Sequence, residues 1–279
     1  MKHIFTRISV VPISLMITVL LIAASGVRIA AGQDFGFDFD DFNLVSVEEE
    51  IEIGKELSRE IEKEYQLYPD SEVQRYAREL GARIAPHAPN TDNIPLSVKV
   101  IKDDEVNAFT IPGGYIYVNS GLIRRVDTEA ELAGVIAHEM GHAVKRHGTE
   151  QLTTIMGINL VMGLLLGSDA PDWQYLVGDL FSSVGLLAYG RDNELQADRL
   201  AVRISHAAGY DAAQYLTFMY KLQEMEDSEP SALTELFSTH PSTSERISTV
   251  KAEISQLDSK NTRPIVNTRS FDTMKRRIR

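Results

Sequence analysis

Cysteine is absent from the 279 residues. That excludes disulfides, thiolate zinc sites, iron–sulfur clusters and thiol nucleophiles, so a metal could be held only by His, Asp or Glu. Positive charge is scarce: 28 Lys and Arg stand against 40 Asp and Glu, a formal net charge of −12. Nucleic acid is excluded as a partner on that balance, because phosphate recognition needs concentrated cations. The acidity suits a protein that stays dispersed in water. Past the N-terminus no apolar run reaches the roughly twenty residues of a membrane helix. The nearest approaches, Leu152 to Gly167 and Tyr175 to Ala188, are separated by Asp169-Ala170-Pro171-Asp172. They read as a buried helix pair, with a lid or membrane-surface contact beside the site as the other reading.

Apolar residues make up 43% of the chain, enough for a sizeable core, and the length fits one large domain, expected over 46–260. Lys2 and Arg7 precede the apolar stretch Ile8 to Ala24, and the small residues Ala30, Ala31 and Gly32 follow. Residues 1–32 therefore read as an export signal, or as an uncleaved N-terminal anchor. Residues 33–45, which include DFGFDFDDF, read as a disordered acidic-aromatic leader, and 261–279 as a C-terminal tail whose basic end, Met274 to Arg279, is frayed and solvated. The expected location is outside the cytoplasm, periplasmic or secreted, with membrane association left open.

Ser46 and Glu49 form a capping box that opens a charged helix, which Tyr68-Pro69-Asp70 ends. A second amphipathic helix is expected from Ser71 to Ile84. Leu96 to Ile101 alternates as a half-buried strand does, and Pro112-Gly113-Gly114 reads as a tight turn between two more strands. From Thr128 onward the pattern is helical almost to the end. The fold class is thus α+β, mainly helical, with a small antiparallel sheet.

The chemistry centres on His138-Glu139-Met140-Gly141-His142. On a helix, residues i and i+4 share a face, so both imidazoles can point at one metal. Glu139 lies about 100° further round, placed to reach a metal-bound water. Thr128 and Glu131 cap this helix, and Leu132, Val135, Ile136, Met140 and Val144 give it an apolar face. Polar groups crowded on a buried helix cost several kcal/mol unless paired. Zinc needs a third ligand and one open position. Position 148, six residues after His142, is Gly, and His147 is one residue out of register, on another helix face. A carboxylate on a separate helix remains, and Glu194 and Asp198 lie four apart between apolar Leu186-Leu187 and Leu200-Ala201-Val202. One can bind metal while the other takes the free N–H of a ligand His.

These pieces carry a resemblance. NAFTIPGGYIYVNSGLI (107–123), HEMGHAVKRH (138–147), NELQAD (193–198) and HPSTSER (240–246) occur in the order seen in the peptidase family of CAAX prenyl proteases, HtpX-type membrane proteases and their soluble periplasmic relatives. The chain resembles the soluble, exported branch. The resemblance implies a gluzincin fold, one zinc per chain, and Glu194 as third ligand beside His138 and His142. It implies that Asn107, Ala108 and Phe109 form an edge strand pairing with substrate backbone. Asp198 is then expected to accept from His138, and Asn193 to support His142. His240 either plugs the open zinc position or stabilises the oxyanion, Arg246 is the other oxyanion candidate, and a loop His that merely caps the next helix is the bland alternative.

The function so implied is zinc-dependent hydrolysis of peptide bonds in exported or misfolded proteins, with Glu139 as general base. The alternative is a chaperone-like quality-control factor whose zinc site is mostly plugged. Expected partners are protein or peptide substrates, and a membrane-surface or outer-membrane assembly partner.

Overall fold

The computed structural model describes residues 43, 45–90, 92–154, 188–241, 244–258 and 263–278. The expected export signal, most of the acidic leader and most of the apolar stretch 152–188 lie outside these residues.

Helix α1 (Val47–Glu64) begins with the reciprocal Ser46–Glu49 capping box. It buries Leu57 and Ile61 against Phe109, Ile111 and Tyr117 on one face of the sheet. Asp70 caps α2 (Ser71–Ile84), whose Val73, Tyr76, Ala77, Leu80 and Ile84 enter the main core. The end of the expected leader is docked: the Asn43 amide donates to Thr149 Oγ1 at 2.6 Å, and Val45 is buried.

Three strands follow, β1 (Ser97–Ile101), β2 (Ala108–Ile111) and β3 (Tyr115–Asn119), in the order β1-β3-β2. β2 and β3 form the expected hairpin, and Gly113 and Gly114 at its turn both take φ +78°, a conformation that costs other residues energy. The sheet is mixed, however, which corrects the antiparallel expectation: β1 runs parallel to β3, Ser97 beside Tyr115 and Ile101 beside Asn119. Residues 102–107 carry the chain from β1 to the far edge, so β3 returns down the middle alongside β1. β2 is left at the edge nearest helix α4.

After α3 (Ser120–Arg125) comes α4 (Glu129–Val144), in which every residue from Glu129 to Ala143 is buried. Thr128 accepts from the Glu131 N–H at 3.1 Å, but the Glu131 carboxylate reaches one residue further back, to the Asp127 N–H at 2.6 Å. A helix buried all round must satisfy each of its polar side chains with a dedicated partner. Glu129 takes the Tyr210 hydroxyl at 2.7 Å, and Glu131 takes Lys221 at 3.1 Å. His138, Glu139 and His142 are the polar groups left to explain.

Helix α5 (Arg191–Ala207) packs along α4. The approach is close because position 141 is Gly: a Cβ there would stand 3.1 Å from the Ala197 Cα. Helices α6 (Ala213–Ser228), α7 (Thr234–Thr239) and α8 (Ser244–Ser255) close the far side. No helix among the described residues is long and apolar enough to cross a membrane.

The last stretch is no frayed tail. Thr268 caps α9 (Arg269–Lys275), and Phe271, Met274 and Ile278 join the main core beside Tyr76. Arg277 pairs with Asp70 at 2.8 Å. The apolar residues recur at i, i+3 and i+7, a helical stripe among basic neighbours. Met274→Ala should therefore cost about 2–3 kcal/mol of stability. A lower urea midpoint at unchanged slope reads that loss, and an unshifted midpoint would return the segment to solvent.

Candidate metal centre

α4 and α5 bring four donors together. One ligand atom each from His138, His142, Glu194 and His240 lies within 4.8 Å of the other three, and all four residues are buried. The Nε2 atoms of His138 and His142 face one another at 3.1 Å. Glu194 Oε2 stands 3.5 Å from His138 Nε2, and Glu194 Oε1 stands 3.3 Å from His142 Nε2. His240, at the C-terminal end of α7, places Nδ1 2.9 Å from Glu194 Oε1.

The other ring nitrogens explain why the Nε2 atoms turn inward. His138 Nδ1 lies 3.1 Å from Asp198 Oδ1 and 3.1 Å from the Tyr215 hydroxyl, which itself donates to Asp198 at 2.8 Å. A proton on Nδ1 is thereby held, leaving the Nε2 lone pair for the interior. His142 Nδ1 lies 2.9 Å from His147 Nδ1, and burial pushes His147 down to about 4, so it stays neutral. Tyr189 stacks on the His142 ring at 3.9 Å.

Arg246 ties the acidic side together. Its Nε and Nη2 each donate to Asp198 at 2.8 Å, and its Nη1 lies 2.7 Å from Glu194. Burial raises both carboxyls, and their neighbours outweigh it: His240 and Arg246 hold Glu194, and Arg246 holds Asp198, well below the ordinary range. Burial lowers His138, but Asp198 and Glu194 bring it up to about 9. His142 is held low, first by burial. Glu139 differs from Glu194: burial raises its carboxyl, and its Oε2 has no hydrogen-bond partner among the described residues. His240 Nε2 is likewise buried without one, 3.6 Å from Glu139 Oε1.

Two expected placements differ. Asn193 does not reach His142; its amide donates to Glu150 at 3.2 Å. It sits one residue before Glu194, about 100° round α5 and away from α4. His147 takes the place beside His142 instead. α4 ends at Val144 and Arg146 turns to φ +59°, so His147 opens a new helical stretch and its ring swings back over His142. Its register on the α4 face no longer applies.

The β2 edge borders this centre. The Asn119 N–H donates to Asn107 O at 2.9 Å, so Asn107 and Phe109 turn their main-chain groups to β3. Those of Ala108 and Thr110 face outward. Tyr189 donates its hydroxyl to Thr110 O at 3.2 Å, and Ala108 lines the cavity that holds His138 and Glu139.

The model of peptidase family M48 matches residues 69–254, about two thirds of the chain. The chain belongs to peptidase family M48. Among its relatives, the β-barrel assembly-enhancing protease of Escherichia coli K12 is 28% identical over 241 residues, 82% of this chain and 48% of that protein. The mitochondrial metalloendopeptidase OMA1 of Arabidopsis thaliana is 32% identical over 66% of this chain and 36% of that one. The metalloprotease LoiP of E. coli K12 is 28% identical over 64% of this chain and 71% of that one. The chain spans about half the length of the β-barrel assembly-enhancing proteases it matches.

M48 metallopeptidases use zinc, and the donors of this M48 chain fit it. Two imidazoles with inward lone pairs and one carboxylate are a zinc ligand set that leaves a fourth position open. Two Nε2 atoms at 3.1 Å and a carboxylate beside them converge on a place suited to a cation. Sequence reasoning missed Tyr215, Tyr189 and the role of His147. Tyr215 and Tyr189 carry no spacing signal, since Tyr215 is 77 residues from His138. His147 lies within HEMGHAVKRH, and an unbroken helix would put it on another face from His142.

Proposed function

We propose that this chain is a zinc-dependent endopeptidase of exported or misfolded proteins, with one zinc held by His138, His142 and Glu194. The observation that carries the reading is the convergence of those three donors beside a buried carboxylate, Glu139, that none of them uses. Bound there, zinc would supply a Lewis acid that polarises the scissile carbonyl and acidifies the attacking water. Glu139 takes the proton from that water and passes it to the leaving amine. Burial raises its carboxyl toward the working pH, which improves it as a base. Asp198 and Tyr215 hold His138 in the required tautomer. What favours a positioning role for Arg246 over the oxyanion role is its engagement with Asp198 and Glu194.

Substrate binds as a strand along the outer edge of β2, pairing with Ala108, while Asn107 and Phe109 fix that edge against β3. The name of the E. coli relative links that protein to β-barrel assembly, and an outer-membrane assembly partner for this chain is part of the same reading. So are export and a place in the periplasm. A chelator should stop digestion of an unfolded protein, and added zinc should restore it. Digestion that survives chelation would end the proposal.

His240 supports a latent form of the same enzyme. Its ring nitrogens stand among the ligand atoms, so it can fill the fourth position and exclude the attacking water. It terminates the short helix α7, and movement of that one element would free the site. His240→Ala should raise basal proteolysis several-fold with zinc content unchanged. A fall in turnover, with zinc kept, would give His240 the oxyanion role instead.

A further inference from the structure

Outside the zinc centre, a second group of buried side-chain atoms lacks hydrogen-bond partners among the described residues. It lies where β2 begins and β3 ends: both amide atoms of Asn107, Asn119 Oδ1 and Glu105 Oε2. Asn107 is 0% exposed and Asn119 2%. The two oppose one another across the hairpin, because the Asn119 N–H donates to Asn107 O at 2.9 Å, one step beyond the Ala108–Val118 pair. Directly opposed residues send their side chains to the same side of a sheet. That side is the one on which Phe109 and Tyr117 meet α1. Asn119 is also the N-cap of α3, where an Asn ordinarily accepts from the first turn, yet its side chain makes no such bond.

Two carboxylates close this place. The Val106 N–H donates to Ala232 O at 3.3 Å, which draws the start of α7 to residues 105–107. Glu235, in the first turn of α7, lies beside Glu105 and Asn107, and Asp103 and Tyr65 are near enough to act on it electrostatically. Burial, and then the Glu105 carboxyl, lift Glu235 to about 7, so the pair tends to hold a proton near neutral pH.

We propose that Glu105, Glu235, Asn107 and Asn119 form a second metal site, separate from the zinc centre, that takes a calcium ion. The set offers oxygen alone, which selects a hard cation and gives zinc none of the imidazoles that draw it to His138 and His142. Calcium accepts carboxylate and amide oxygens together in irregular geometry, whereas magnesium demands an octahedron and keeps its water. Water would satisfy an amide oxygen but would not neutralise two adjoining carboxylates, and a divalent cation does both. Bound there, the ion would clip α7, which His240 terminates, to the first residues of the β2 edge.

Calorimetry on the zinc-loaded full chain in calcium-free buffer, with Ca2+ as titrant, tests this. One calcium per chain should bind with a dissociation constant of about 1 mM or tighter. The midpoint of thermal unfolding should rise by about 3 °C or more as the site fills. Glu105→Gln and Glu235→Gln should each weaken binding by about ten-fold or more and remove most of that rise, with zinc content unchanged. Asn119→Asp, which exchanges a neutral oxygen for a charged one, should tighten binding, a gain that misfolding cannot imitate. Neither heat nor a shifted midpoint at about 10 mM Ca2+ overturns the site. So does an equal shift with Mg2+, which would mean general screening of the −12 net charge. Gln variants that bind as the parent does, or an Asn119→Asp protein that binds no tighter, would place the ion elsewhere and overturn it too. None of these outcomes bears on zinc or hydrolysis.

Discussion

Glu139→Gln should keep one zinc per chain and lower hydrolysis of an unfolded protein by about a hundred-fold or more, the usual worth of a positioned general base. Gln has the same shape and no basicity. Glu139 stands outside the cluster of ligand atoms, and its Oε2 has no hydrogen-bond partner among the described residues, so the change removes no metal ligand and breaks no structural bond made by that oxygen. Glu194→Ala should do the opposite to the metal. It deletes the carboxylate that both Nε2 atoms face at 3.3 and 3.5 Å. Two imidazoles alone are an incomplete zinc set, so stoichiometry should fall well below one and activity should fall with it. Metal analysis after dialysis and a parallel digestion separate the two variants. Full zinc in Glu194→Ala would remove Glu194 from the ligand set. Undiminished cleavage in Glu139→Gln would remove the mechanism.

The parts of this centre that could be read from the sequence are those that local geometry places. His138 and His142 share a face because they are one turn apart, and Glu194 and Asp198 share one for the same reason. An apolar setting around charged residues signalled that both pairs are buried. Contacts across elements left no such trace. Tyr215 is an ordinary aromatic on an amphipathic helix until α6 is packed against α4. The mixed sheet was hidden because short strands carry their own alternation but not the order of their neighbours. The register of His147 failed where the helix itself broke, at an Arg with positive φ that no sequence rule marks. In α9 and the turn after it the apolar residues Phe271, Met274 and Ile278 are interleaved with Lys275, Arg276 and Arg277, so the segment's composition is that of a solvated end.

Arg246→Met should destabilise the metal-free protein by about 3–5 kcal/mol, the cost of stripping a buried carboxylate of its cation. Asp198 is fully buried and Glu194 is 1% exposed. Both lie on one face of α5, and the Arg246 fork is shared between them. Without it, His138 is the cation left to Asp198, and the two carboxylates repel across one helical turn. Zinc should change the size of the loss. A divalent cation beside Glu194 compensates that carboxylate directly and draws on Asp198 through His138. The deficit of Arg246→Met should therefore be smaller in zinc than in chelator, whereas a variant that merely loosened packing would lose the same in both. Arg246→Lys keeps the charge and gives up the two-pronged geometry, and should fall between Met and the parent. Urea unfolding of the three proteins, with and without zinc, reads all of these differences. A loss under about 1 kcal/mol in chelator would place the pairing with exposed ion pairs and remove Arg246 as the support of the ligand helix.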